Sequence, residues 1–163
     1  QGINIDLNPL TIDLFNFMRP NDININTAVS SEESEKTLFF LSENNTQNTL
    51  SENQLLFLKK HHNLRDEEII KKKIQTRRLD KILEENNFDN IDFMNLDVEG
   101  HELEVLKTIN FKKTKLKYIC IEMINHNNLS IKNSDQIIDL LETNKFEQLK
   151  KFEFNYIFKN KEL

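Results

Sequence analysis

Only two of the 163 residues are glycine, Gly2 and Gly100, and that scarcity removes whole classes of enzyme at once. A phosphate-cradling P-loop, a G-x-G-x-x-G dinucleotide turn and a G-x-S-x-G nucleophile elbow cannot be written anywhere in the chain. Cysteine is scarcer still. Cys120 stands alone, so no internal disulfide forms, and its place in the run Tyr118-Ile119-Cys120-Ile121 predicts a buried, reduced thiol in a reducing, cytoplasmic compartment. No apolar run approaches the roughly 18 residues that suggest a membrane span, so no membrane partner is expected. Basic residues are in the minority, 22 against 27 acidic, leaving a net charge of -5 that argues against nucleic acid held by bulk electrostatics. The chain opens at Gln1, directly into the strand-like Gly2-Ile3-Asn4-Ile5-Asp6 with no leader-like flank, so an N-terminal portion is expected to be missing.

What is present is enough apolar material, 37% of residues, to build one core, and the length predicts a single domain over 1–163. A strand is expected at 3–7, ended by Asn8 as helix cap and Pro9 as first helical residue. Leu10, Leu14 and Phe17 mark one face of the helix that Pro20 stops. Alternation of Ile23, Ile25, Thr27 and Val29 predicts a second strand over 22–29. Further strands are expected at 37–41, 69–75, 91–96, 118–121, 146–152 and 154–158, with helices at 54–60, 79–86, after Gly100, and near 134–142. His61-His62 has no partner at metal-ligand spacing and reads as loop. Lys71-Lys72-Lys73 with Arg77-Arg78 reads either as a solvated strand face or as an anion site.

Alternating strands and helices argue for an α/β fold with a largely parallel sheet and an antiparallel pair at the C-terminus. Ligands in such sheets bind beyond the carboxyl ends of the strands. The residues expected there are Asp6, Ser30, Asp97 and Glu122, with Glu99, His101 and His126 just beyond: an acidic rim.

The stretch Ile91-Asp92-Phe93-Met94-Asn95-Leu96-Asp97-Val98-Glu99-Gly100-His101-Glu102-Leu103-Glu104-Val105-Leu106-Lys107 resembles the signature of the FkbM-type methyltransferases, I-D-F-L-x-I-D-V-E-G-x-E-x-x-V-L-K. Gly2-Ile3-Asn4-Ile5-Asp6-Leu7-Asn8-Pro9 is similar to that family's second-strand motif, Arg19-Pro20-Asn21-Asp22-Ile23-Asn24 to the approach to its third strand, Thr76-Arg77-Arg78-Leu79-Asp80-Lys81-Ile82-Leu83 to its pre-helix segment, and Tyr118-Ile119-Cys120-Ile121-Glu122 to its fifth strand. The resemblance implies a Rossmann-like methyltransferase sheet with S-adenosylmethionine over the ends of the early strands. It implies transfer of a methyl group to an oxygen of a small molecule or glycan. The family's first strand and glycine-rich cofactor loop would fall upstream of Gly2, so the chain reads as lacking its first βα unit and as incomplete for cofactor binding by itself.

Within that reading, Asp6 is placed to accept the ribose hydroxyls of the cofactor, although it also suits a turn cap with Asn8. Ser30 is the adenine-side candidate, against a plain loop serine. Methyl transfer is an in-line displacement, so the protein aligns the reactants and manages one proton. Asp97 is the first candidate for cofactor contact and catalysis, and its place before a helix equally suits an N-cap. Glu122, His126 and His101 are alternative general bases. Glu99 and Glu102 are acceptor-binding candidates, or simply carboxylates complementing a helix dipole. Asp97, Glu99, His101 and Glu122 also make a donor set that a divalent Mg or Mn would take, which keeps a metal-assisted hydrolase in view. The zinc motif H-E-x-x-H fails at Val105. A non-catalytic relic or interaction module is the third reading.

Overall fold

The computed structural model describes residues 1–42, 47–62, 64–123 and 127–163, with the backbone alone for 127–132. β1 (Ile3–Asp6) ends where expected because the Asn8 side chain accepts from the Leu10 amide at 3.0 Å, opening α1 (Pro9–Met18). β2 (Ile23–Asn26) lies parallel to β1, with Ile3 opposite Ile23 and Asp6 opposite Asn26. The strand expected to continue to Val29 is broken at Thr27, whose amide donates to the Asp6 carbonyl at 3.0 Å. Beyond the break, β3 (Ala28–Val29) pairs in parallel with β5 (Ile70–Arg77).

β4 (Glu35–Phe40) runs antiparallel to β5. Between them sits α2 (Glu52–His62), longer than expected and taking in His61 and His62, which are helical rather than loop; Phe57 stacks on His61 with ring centres 4.3 Å apart. Then follow α3 (Leu79–Glu85), β6 (Asn90–Leu96), α4 (Glu102–Leu106), β7 (Lys115–Glu122), α5 (Asn127–Thr143), β8 (Phe146–Phe152) and β9 (Asn155–Asn160). The last four strands are ordered β6-β7-β9-β8, with β6 and β7 parallel and β9 antiparallel to both its neighbours. Among the described residues the strands form three sheets, β1-β2, β3-β5-β4 and β6-β7-β9-β8, and three of the six strand pairings are parallel, where one largely parallel sheet was expected. The extra antiparallel pairing comes from β4 folding against β5. Among the same residues, no helix is long and apolar enough to cross a membrane.

The core joins α3, α4 and α5 to one face of the β6-β7-β9-β8 sheet through Leu83, Leu106, Leu141, Ile119, Ile121 and Phe158. Strand geometry corrects two expectations here. Successive side chains point to opposite faces, so with Ile119 and Ile121 buried, Cys120 is only half-buried and its neighbour Tyr118 is 37% exposed. The second face of β7 is therefore open, not covered. The third correction concerns α1. Ile12 is its buried side chain, whereas Leu10, Leu14 and Phe17, expected to mark one apolar face, are exposed. Ile12 lies about 200° round the helix from Leu10, so burying one turns the other away.

Candidate active site

Four strand ends converge on one cavity of about 800 Å³, a size suited to a cofactor with its co-substrate. Asp6 closes β1, Val29 closes β3, Glu122 closes β7, and Asp97 follows β6 by one residue; all four line the cavity. Leu10 and Leu14 of α1 line it as well, which accounts for their exposure. The convergence is that of an α/β fold whose binding site lies beyond the strand carboxyl ends.

Asp6 lines the cavity, and its Oδ1 accepts from the Asn8 amide at 2.7 Å, the contact of a turn cap. Ser30 is fully buried, and its hydroxyl lies 3.0 Å from His101 Nε2. Of the pair, His101 is the member that lines the cavity. Burial lowers the His101 pKa below the usual histidine range, keeping the ring neutral at pH 7.

The loop after β6 is bent by two left-handed residues, Glu99 at φ 52° and Gly100 at φ 90°. A non-glycine residue in that region is strained unless its surroundings hold it, and such strain concentrates at functional sites. Glu102 supplies part of that hold. Expected at the acceptor, it is instead buried, and its Oε1 accepts from the amides of Val98 and Gly100, both at 3.1 Å. Gly100 is required twice over: a Cβ there would meet Ser51 and Gln54 side-chain atoms at 3.3 Å, and the φ is unfavourable for any L residue. Gly100→Ala is expected to lower stability by about 1–3 kcal/mol, read as a shifted urea midpoint at unchanged m-value. An unshifted midpoint would show that the loop relaxes freely.

Glu99 and Glu122 are the electrostatic centre of the cavity. Burial, then the charge of Asp97, pushes the Glu99 carboxyl up to about 7. Burial, followed by Asp97, Glu99 and Glu102, pushes Glu122 to about 7 as well, and a hydrogen bond to Asp97 keeps the proton on Glu122. The cluster thus holds protons near neutrality that isolated carboxyls would have lost. Such a site can take up a proton from a hydroxyl, and it favours a cation. Among the described residues, no group of three or more histidine, cysteine or acidic side chains is arranged to hold a metal ion, so the donor set considered from the sequence does not assemble as one. His126 lies outside the described residues.

The basic segment faces solvent. Lys73 pairs with Glu35 at 3.7 Å, Arg78 with Asp80 at 2.8 Å, and Lys72 sits over the Phe40 ring at 3.2 Å. Burial pushes the Cys120 thiol up, away from reactivity.

Three residues that the sequence reading passed over belong to the site. Gln54 Nε2 donates to Glu99 Oε2 at 3.0 Å, Thr49 Oγ1 donates to the Glu99 carbonyl at 2.7 Å, and Ser51 packs against Gly100. Their one sequence signal is the pattern Ser51-Glu52-Asn53-Gln54, the spacing of a capping box, and Ser51 Oγ does accept from the Gln54 amide at 3.2 Å.

Compared with known proteins, residues 1–154 match the family model described as "Methyltransferase FkbM domain". No protein of curated function and no solved structure matches the chain.

Proposed function

The chain belongs to the FkbM methyltransferase domain family, and we propose that it moves the methyl group of S-adenosylmethionine to a hydroxyl of a small molecule or glycan. One observation supports this reading above the others: the acidic side chains Asp6, Asp97, Glu99 and Glu122 line a single cavity at the strand ends. That chemistry fits the cofactor, which presents a ribose diol for a carboxylate to accept and a sulfonium and an ammonium for acidic groups to face. When bound, S-adenosylmethionine supplies an electrophilic methyl group.

The protein's own part is to bind, orient and handle a proton. Asp6 accepts from the ribose hydroxyls, each such charged bond contributing about 1.5–3 kcal/mol. Asp97 faces the cationic end of the cofactor. Glu122, whose pKa stands near the working pH, accepts the proton of the acceptor hydroxyl. Glu99 contacts the acceptor, and the neutral His101 completes the wall between them. Leu10 and Leu14 give one side of the cavity an apolar surface.

Asp6→Ala tests the assignment. Calorimetric titration with S-adenosylmethionine is expected to show affinity weakened by about tenfold or more, as loss of one charged hydrogen bond predicts. Turnover at saturating cofactor changes far less, because the bond exists in ground and transition states alike. Equal affinity in the variant and the wild type would remove Asp6 from the ribose site.

A further inference from the structure

We propose that residues 48–54, which lead into and open α2, form a clamp for the cavity loop, with Gln54 and Thr49 as positioning residues that hold Glu99 toward the acceptor. This rests on the methyl-transfer reading for the meaning of Glu99, but the contacts stand without it. Thr49 is fixed to β4 by a two-way backbone bridge with Phe39, at 2.9 and 3.2 Å. From that anchor its hydroxyl accepts from the Ser51 amide at 2.9 Å and donates to the Glu99 carbonyl at 2.7 Å. Gln54, in the first turn of α2, reaches the Glu99 carboxylate at 3.0 Å. One segment thus grips both the backbone and the side chain of the strained residue.

The grip is built inside the protein. Thr49 is 1% exposed and Gln54 7%, so their polar groups need partners, and Glu99 provides one for each. Asn48 and Leu50 of the same segment line the cavity. The clamp therefore also shapes the wall met by whatever lies against Glu99. Gly100 is the seat on which it closes, since a Cβ there would press on Ser51 and Gln54 at 3.3 Å.

Geometry gives the clamp its consequence. The groups facing Glu99 are Asp97 and Glu102 of its own loop region, Gln54 of α2, and Glu122 from the end of β7. Of these, Gln54 alone favours the charged carboxylate; the acids oppose it. A merely structural glutamine would leave the titration of Glu99 untouched when replaced.

The test is a carboxyl-carbon NMR titration of the protein without cofactor or acceptor, so that its failure is separate from any failure of S-adenosylmethionine to bind. Gln54→Leu is expected to raise the Glu99 midpoint by about one pH unit, with Leu56→Ala, on the exposed side of α2, leaving it in place. An unmoved midpoint in a folded Gln54→Leu protein overturns the proposal. Should that variant fail to fold, Gln54→Glu keeps the side-chain shape. Two coupled midpoints, one of them above 7, support the clamp, and two independent carboxyls in the ordinary range overturn it.

Discussion

Asp97→Asn is expected to cut methyl transfer by more than about tenfold while leaving the fold intact, the size of effect that follows when a positioned charged group is lost from a proton-handling site. Asparagine keeps the shape of the side chain, removes its charge and exchanges one acceptor oxygen for an NH2 donor. That charge acts on two neighbours, since it is among the causes holding both Glu99 and Glu122 near 7. In the variant both midpoints should fall, leaving Glu99 and Glu122 more fully ionised at pH 7. Turnover would then drop although its neighbours carry more negative charge than before, which separates the place of Asp97 from the total charge of the cavity. Unchanged turnover alongside lowered midpoints would remove Asp97 from the chemistry and leave it a purely electrostatic neighbour. The check is initial-rate kinetics with labelled methyl donor, paired with the NMR titration of the two glutamates.

Glu122→Gln is expected to make the protein both more stable and less active. The carboxyl titrates near 7 in the folded state against an ordinary value of 4.5. Its protonated form is the one the fold prefers, so the corresponding stability is complete below about pH 4.5 and is lost as pH rises through 7. Glutamine removes that dependence. With the side chain half-exposed, the undiscounted shift overstates the gain, and about 1–2 kcal/mol at pH 8 is the expected size. For a chain of this length that is a rise in Tm of about 3–6 °C at pH 8, with none at pH 4. Turnover should fall by about a hundredfold or more, and the rise of rate with pH near 7 should vanish. A stabilised variant with full activity would reassign the base. A variant whose Tm equals that of the wild type at both pH 4 and pH 8 would mean that Glu122 titrates in the ordinary carboxyl range in the native protein.

The residues that end strands were legible because their signal is local. Asp6, Asp97 and Glu122 each terminate a short apolar run, and an acid there is unlike the side chains before it. The helix start at Asn8-Pro9 was legible for the same reason, a capping side chain next to a fixed φ. Faces were harder. The pattern Leu10, Leu14 and Phe17 describes an apolar stripe correctly but cannot say whether a sheet or a cavity lies opposite, and two of the three turned out to face or flank the cavity. The run around Cys120 concealed a one-sided burial, because apolar residues on the open face of a strand look the same as those on the covered one. Helix α5 begins at Asn127, well before the expected 134, in an asparagine-rich stretch whose weak helix propensity gave no hint of it.

The partners of Glu99 were out of reach altogether. Gln54 and Thr49 are 45 and 50 residues away along the chain, and nothing in a lone glutamine or threonine records a contact at that separation. Glu102 was read as an acceptor contact or as a complement to the helix dipole, because a carboxylate in a first helical turn suits either. Its two bonds to loop amides appear only once the turn at Glu99 and Gly100 is in place.

Calorimetric titration near pH 7 in two buffers of different ionisation enthalpy tests most directly the proposal that the acidic cavity takes a cationic methyl donor. A cation brought beside Glu99 and Glu122 lowers their pKa values and expels protons. S-adenosylmethionine should therefore bind with net proton release, and S-adenosylhomocysteine, which has lost the sulfonium charge, with measurably less. Equal proton release for the two ligands, or binding with no release at all, would contradict the placing of the sulfonium against this acidic cluster.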